Sequence, residues 1–271
     1  MPIDETWQDG IPAWIDSAVR EWLTLHLAED KIRNRLRARL HITADLSRSY
    51  RGLVEQLSEA ELLDWIDGVL SIGAGTGNDF FSQVFASDLE ILLREGHSIW
   101  KVSYTGDSLE RRQDDTVTAA AHQASRTGTS YGRPAAAERL RNAWSKAYGL
   151  HPDPSKAFGE AILAVEAVAV PVINPKEASA HLGHVYGQLR NQSHLYELAI
   201  TDKSGAPASV QPVTELIGLL WHGHTDRHEG NAPAVLITPE AAQMAVHAAA
   251  TLVQWFASGA VRRKQTKQRG H

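Results

Sequence analysis

Proline directly behind a capping residue occurs three times in the second half of the chain, at Asp153-Pro154, Asn174-Pro175 and Thr238-Pro239. Proline at a first helical position supplies a helical φ and lacks an amide that would be unpaired there anyway, so each pair predicts a helix start. Apolar spacing extends those starts over about 154–172, 175–190 and 239–257, and two further patterns cover about 135–148 and 212–221. The stretch carrying Phe158, Ile162, Val165, Val168 and Val172 is among the most apolar, as is the one carrying Met244, Ala248, Leu252, Trp255 and Phe256. These two predict the centre of a helical bundle.

The first half also reads as helical. Trp14, Ala18, Trp22 and Leu25 fall at helical spacing, as do Ile32, Leu36 and Leu40. Lys31, Arg33, Arg35, Arg37 and Arg39 crowd the second of these helices. A two-residue step turns about 200°, which spreads the five cations around a solvated surface. Ser58 and Glu61 form a capping box that opens another helix, with Leu62, Ile66, Val69 and Leu70 on its buried face. Residues 98–104 read as a strand that 108–112 can fold into a short hairpin. From Arg112 to Pro134 the chain turns polar, which predicts a connector and a boundary near residue 130. The expected fold is therefore mainly α: an N-terminal helical region with a small β element over 1–130, a helical bundle over 131–258, and a basic disordered tail over 259–271.

The last fourteen residues hold Arg262, Arg263, Lys264, Lys267 and Arg269 and no acid, within a chain of net charge −5. Such a tail adds a non-specific electrostatic attraction for nucleic acid. The longest apolar run, 161–173, is shorter than the roughly 18–20 residues that span a bilayer, so no membrane helix is expected. The chain has no cysteine and no secretory pattern at its start, and the default location is cytoplasmic.

Trp221 to Gly230 is the densest reactive segment, with His222, His224, Asp226, Arg227 and His228 in seven residues. One extra residue, Arg227, separates it from the His-x-His-x-Asp-His zinc motif of metallo-β-lactamase-like hydrolases. If the helix continued, His224 and His228 would share a face at i, i+4 and could hold a metal, but no metal is expected on this spacing. The run Gly73, Gly75, Gly77 looks like the first motif of S-adenosylmethionine-dependent methyltransferases. Its surroundings have helical periodicity, so a helix-to-helix loop, with Asn78 capping the next helix, is the expected role. No cofactor is expected. His247, among alanines on the last helix, reads as a core histidine.

Ala143-Trp144, Tyr148-Gly149, Pro152-Asp153-Pro154, the stretch 161–167, Leu182-Gly183, the stretch 226–228 and the stretch 245–253 together resemble the C-terminal region of bacterial abortive-infection proteins, a helical module similar to the HEPN superfamily. The resemblance covers about 135–257. It implies a metal-independent ribonuclease, commonly a homodimer, in which an arginine and a histidine a few residues apart act on RNA. On that analogy Arg227 would hold the scissile phosphate, His228 would be the general base or acid, and His222, His224 and Asp226 would bind substrate. In this chain the arginine and histidine are adjacent. The alternative is a non-catalytic helical module that binds RNA or protein.

Overall fold

Helices form nearly everywhere that the apolar spacing predicts them, with one more, Asp115–Ser130, where a connector was expected. The computed structural model describes residues 6–75, 79–177, 179–224 and 236–264. Among these it is mainly helical, with two small antiparallel sheets. No helix among them is long and apolar enough to cross a membrane. The chain divides into two units, one of residues 1–112 with 148–150, the other of residues 113–147 with 151–271.

The first unit holds α1 (Ala13–His26), α2 (Asp30–Arg39), α3 (Leu46–Gln56), α4 (Glu59–Ala74), α5 (Asp79–Glu95), β1 (Trp100–Val102) and β2 (Leu109–Arg111). Ile15, Val19, Trp22 and Leu23 are the buried residues of α1, whereas Trp14 and Leu25 are 68% and 63% exposed. The expected stripe is thus rotated. The Trp14 indole still donates to the Gly96 carbonyl at 3.1 Å, which satisfies its N–H at the surface. At the start of α4 the predicted capping box is present: the Ser58 amide donates to Glu61 Oε2 at 2.8 Å and the Glu61 amide to Ser58 Oγ at 3.4 Å. These bonds to Ser58 hold the Glu61 carboxyl below the usual range. The predicted hairpin is β1–β2, with Lys101 opposite Glu110 and a buried ion pair between them at 3.0 Å. Glu90 on α5 accepts from the Val102 amide and pairs with Arg112, which docks the hairpin on that helix. Gly73 lies inside α4 and Gly75 caps it, so these two glycines follow a helix and not the strand a methyltransferase motif requires. Gly77 and Asn78 lie outside the described residues.

The second unit contains α6 (Asp115–Ser130), α7 (Pro134–Tyr148), α8 (Pro154–Ile173), α9 (Leu182–Asn191), a 3-10 turn (Ser193–Leu195), β3 (Tyr196–Leu198), α10 (Gln211–Gly223), α11 (Pro239–Ala257) and β4 (Val261–Arg263). At the Asp153-Pro154 and Thr238-Pro239 starts the capping side chains accept from the Lys156 and Ala241 amides. Nine residues of α8 and nine of α11 are buried, and these two helices pack together as the core of the unit. Met244, expected in that core, is 59% exposed.

Three expectations are corrected. The segment expected to be a polar connector is α6, opened by Asp114, whose side chain accepts from the Thr116 amide at 2.8 Å. Its buried face is Thr118, Ala121, Ala124, Ser125, Thr127 and Gly128, small residues that pack closely on α11 without showing an apolar stripe. The division between units consequently falls at residue 112/113 and not near 130. Asn174-Pro175 closes a helix where it was expected to open one: Asn174 caps the end of α8, and α9 starts only at Leu182. Proline is common just after a helix end as well as at a start, so the dipeptide alone does not separate the two. Finally, the start of the expected disordered tail is β4, which pairs antiparallel with β3, Leu198 opposite Val261 and Glu197 opposite Arg262. Val261 is 1% exposed and Arg262 is paired with Glu197 at 2.8 Å. Residues 265–271 lie outside the described residues.

Two outcomes follow from this packing. Val261→Ala should lower stability by roughly 1–2 kcal/mol, from about 0.8 kcal/mol per buried methylene plus the cavity left behind, read as a lower denaturation midpoint. If the strand were frayed, the midpoint would not move. In the first unit, burial pushes the His26 imidazole below its ordinary value, and its Nδ1 lies 2.6 Å from the Trp22 carbonyl. The unfolded chain then takes up this proton at about pH 6.5 while the folded chain does not. Stability contributed by neutral His26 is therefore complete above that pH and falls as pH drops toward the lower folded value. His26→Gln should flatten that acid-side decline in melting temperature relative to the parent.

Candidate functional site

α9 and α10 approach each other through two glycines. A Cβ on Gly183 would come within 2.6 Å of the Trp221 ring, and one on Gly218 within 2.8 Å of the Tyr186 ring. Gly183 thus meets Trp221 and Tyr186 meets Gly218, a pairing that runs antiparallel. The start of α9 is held from three sides. The Leu182 amide donates to Glu166 of α8 at 2.7 Å, the Gly183 amide to His181 Nδ1 at 3.1 Å, and the His181 amide to His184 Nδ1 at 3.2 Å. Both Nδ1 atoms accept, so the neutral rings carry their protons on Nε2. The His181 ring stacks on Trp221 at 5.1 Å between centroids, which ties this cap to α10.

Beyond that clamp the two helices enclose a groove of about 790 Å³. Tyr186, Leu189 and Arg190 line it from α9, and Thr214, Glu215, Gly218, Leu219 and His222 from α10, together with Ser193 and Ser209. Its volume falls in the range of small-ligand sites. His222 is exposed, and its ring meets Tyr186 edge-on at 5.3 Å and 87°. Arg190 is also exposed and has no ion pair among the described residues. Glu215 accepts from the Gln211 side chain at 2.8 Å. One wall of the groove therefore offers a forked cation suited to phosphate or carboxylate, and the other an imidazole suited to proton transfer.

The residues singled out in the sequence are not all brought together. His222 faces the groove. His224 is the residue that ends α10, with φ −85° and ψ 85°, and its ring stacks instead on Phe158 of α8 at 5.5 Å. Because α10 stops at Gly223, His224 is not on the helical face that a shared i, i+4 metal site with His228 requires. Asp226, Arg227 and His228 lie outside the described residues. No cluster of three metal-ligating side chains occurs among the described residues. His247 is half-buried, edge-on to Trp144 at 5.9 Å, and burial lowers its pKa, in keeping with a core histidine.

Tyr186 and Ser193 were not anticipated as site residues, and Arg190 stands out in the sequence only beside His194, with three residues between them, a spacing that does not match the arginine–histidine pair of HEPN-like modules. The available signal was the buried stripe Leu182, Val185, Leu189, which places Tyr186 and Arg190 one turn apart beside it. Only the partner helix reveals that the neighbouring face lines a groove. The comparisons find no family model, no curated protein and no solved structure that matches this chain.

The glycine contacts give opposite expectations for two positions of one helix. Alanine exceeds glycine in helix propensity by about 1 kcal/mol, and Gly187 has nothing within 4 Å of an added Cβ. Gly187→Ala should therefore raise the thermal midpoint. At Gly183 the added methyl must displace Trp221, and overpacking of this kind costs roughly 1–3 kcal/mol, which exceeds the propensity gain. Gly183→Ala should lower the midpoint and reduce the near-ultraviolet tryptophan signal. Equal effects at the two positions would contradict the described contact.

Proposed function

We propose that this chain is an abortive-infection-type protein that cleaves RNA without a metal, and that the groove between α9 and α10 binds the strand at the scissile phosphate. The observation that carries the reading is the presence of Arg190 and His222 on facing walls of one groove. The resemblance of residues 135–257 to HEPN-like modules supplies the reaction type. In that reaction Arg190 receives the phosphate through its planar fork and offsets the charge that develops on it. His222 takes the proton of the RNA 2′-hydroxyl as its oxygen attacks phosphorus. The bond to the 5′-oxygen breaks and that oxygen is protonated, giving a 2′,3′-cyclic phosphate and a 5′-hydroxyl. Arg227 and His228, which follow α10 in the chain, are the pair that the resemblance assigns to the same chemistry. On that assignment His228 is the acid that protonates the leaving oxygen and Asp226 a substrate contact, whereas the His224 ring is taken up by Phe158.

The test is cleavage of total RNA by purified protein in excess EDTA. Wild type should cleave, and His222→Ala and Arg190→Ala should each lose about a hundredfold or more while keeping the wild-type melting temperature. Arg190→Lys should also be impaired, because a point charge does not reproduce a two-pronged phosphate contact. His228→Ala and Arg227→Lys measured beside them apportion the chemistry between groove and segment. Wild type that binds RNA but leaves it intact would replace cleavage with the non-catalytic module. A homodimer belongs to the same proposal, and light scattering should return about twice 29.7 kDa.

A further inference from the structure

The first unit carries its own concentration of positive charge, on α2. Five cations occur between residues 31 and 39 in a chain whose net charge is −5. The fold sorts them. Arg33 turns inward: its side chain is 8% exposed, it pairs with Asp30, donates to the Leu27 carbonyl, and lies over the Tyr50 ring at 4.8 Å. Lys31, Arg35, Arg37 and Arg39 are all exposed. Past Asp30, every exposed charged residue of α2 is therefore a cation. On the neighbouring helix Arg51 is exposed as well, 5.9 Å from the same Tyr50 ring.

Lys31, Arg35 and Arg39 recur every four residues, so they lie in one row with a rise of about 6 Å between successive members. Like charges at this spacing destabilise a helix by a few tenths of a kcal/mol per pair. The chain has 32 acidic residues, yet none pairs with Lys31, Arg35, Arg37, Arg39 or Arg51 among the described residues. Arg35 does reach the Ile72 carbonyl at 3.5 Å, near the C-terminal end of α4, where a cation is favourable. Arg37 likewise donates from Nε to the Ile42 carbonyl at 3.2 Å, which leaves Lys31 and Arg39 with no hydrogen bond or ion pair among the described residues.

We infer that the exposed face of α2 is a docking surface for the phosphate backbone of a nucleic acid. Arginine predominates in it, and a guanidinium fork fits phosphate oxygens better than an ammonium does. Apart from Asp30, the other exposed residues of α2 are Asn34 and Ala38, both small, so the face has nothing to bury in an acyl layer, as a membrane-surface helix requires. Backbone contacts of this sort position a strand without reading its bases. The inference concerns the first unit and does not rest on the cleavage reading.

Fluorescence anisotropy with labelled 2′-O-methyl RNA, which cannot be cleaved through its 2′-oxygen, tests it on the full chain at low salt. A single strand and a duplex serve as separate arms, and phosphatidylserine vesicles as a third. Wild type should bind one or both nucleic acids. The triple variant Lys31→Ala/Arg35→Ala/Arg39→Ala should lose about tenfold or more, and for a single strand the slope of log affinity against log salt should fall by about 2. The charge-matched variant Arg141→Ala/Lys146→Ala/Lys203→Ala, altered at exposed cations of the second unit, should bind as wild type. Lys31→Ala/Arg39→Ala keeps the Arg35 contact to α4 and should still lose affinity, while Asn34→Arg should gain it. Equal loss in the two triple variants, no nucleic-acid binding by wild type, or binding to vesicles alone would overturn the inference.

Discussion

The close approach of α9 and α10 is the contact on which the second unit's groove depends. Two helices that meet through side chains of ordinary size stand 8–10 Å apart, and here glycine at 183 and 218 lets the Trp221 and Tyr186 rings lie directly on backbone. Each ring then has a second partner, His181 for Trp221 and His222 for Tyr186. The residue that clamps the helices and the residue that orients the imidazole are thus neighbours on the same surface. Arg190 stands one turn beyond Tyr186 and inherits its position from the same contact.

Support for that pair comes from α8 and α11, whose buried faces are too extensive for either to be a surface helix. Glu166 on α8 receives the Leu182 amide and so fixes where α9 begins, a task that proline was expected to perform at position 175. In the first unit a comparable role falls to buried charge. Glu90 joins Arg112 to the Val102 amide, and Lys101 pairs with Glu110 across the hairpin. Removing one member of a buried pair leaves the other charge unpaired at a cost of about 3–5 kcal/mol, so these links specify the placement of a hairpin only three residues long on each strand.

Much of the fold was legible in the sequence where a pattern is local, Asn174-Pro175 being an exception because the dipeptide suits a helix end as well as a start. The capping box at Ser58, the prolines at 154 and 239, and the hairpin at 100–111 all depend on residues within a few positions of each other. What was not legible depends on contacts between distant segments. The small residues of α6 bury a face without apolar character, because the alanines of α11 come close enough to make it a packing surface. β4 is stabilised by β3, some 65 residues earlier, and its arginines read as a solvated tail until Glu197 is opposite one of them. The same limit applies to the site. His222 was visible as part of a histidine-rich segment, but Arg190 enters only through the packing of α9 on α10, and the wrong rotation of α1 shows how a periodic stripe can be read one residue out of phase.

The most direct measurement of the groove's role is the long-range ¹H–¹⁵N spectrum of the histidine side chains during titration with a 2′-O-methyl dinucleotide, which occupies a cleavage site without reacting. If the α9–α10 groove holds the scissile phosphate, the His222 imidazole shifts on a saturating curve, Arg190→Ala weakens that curve, and His97 in the first unit does not move. A His222 resonance unchanged while the dinucleotide binds elsewhere, or the same curve with and without Arg190, would contradict the account.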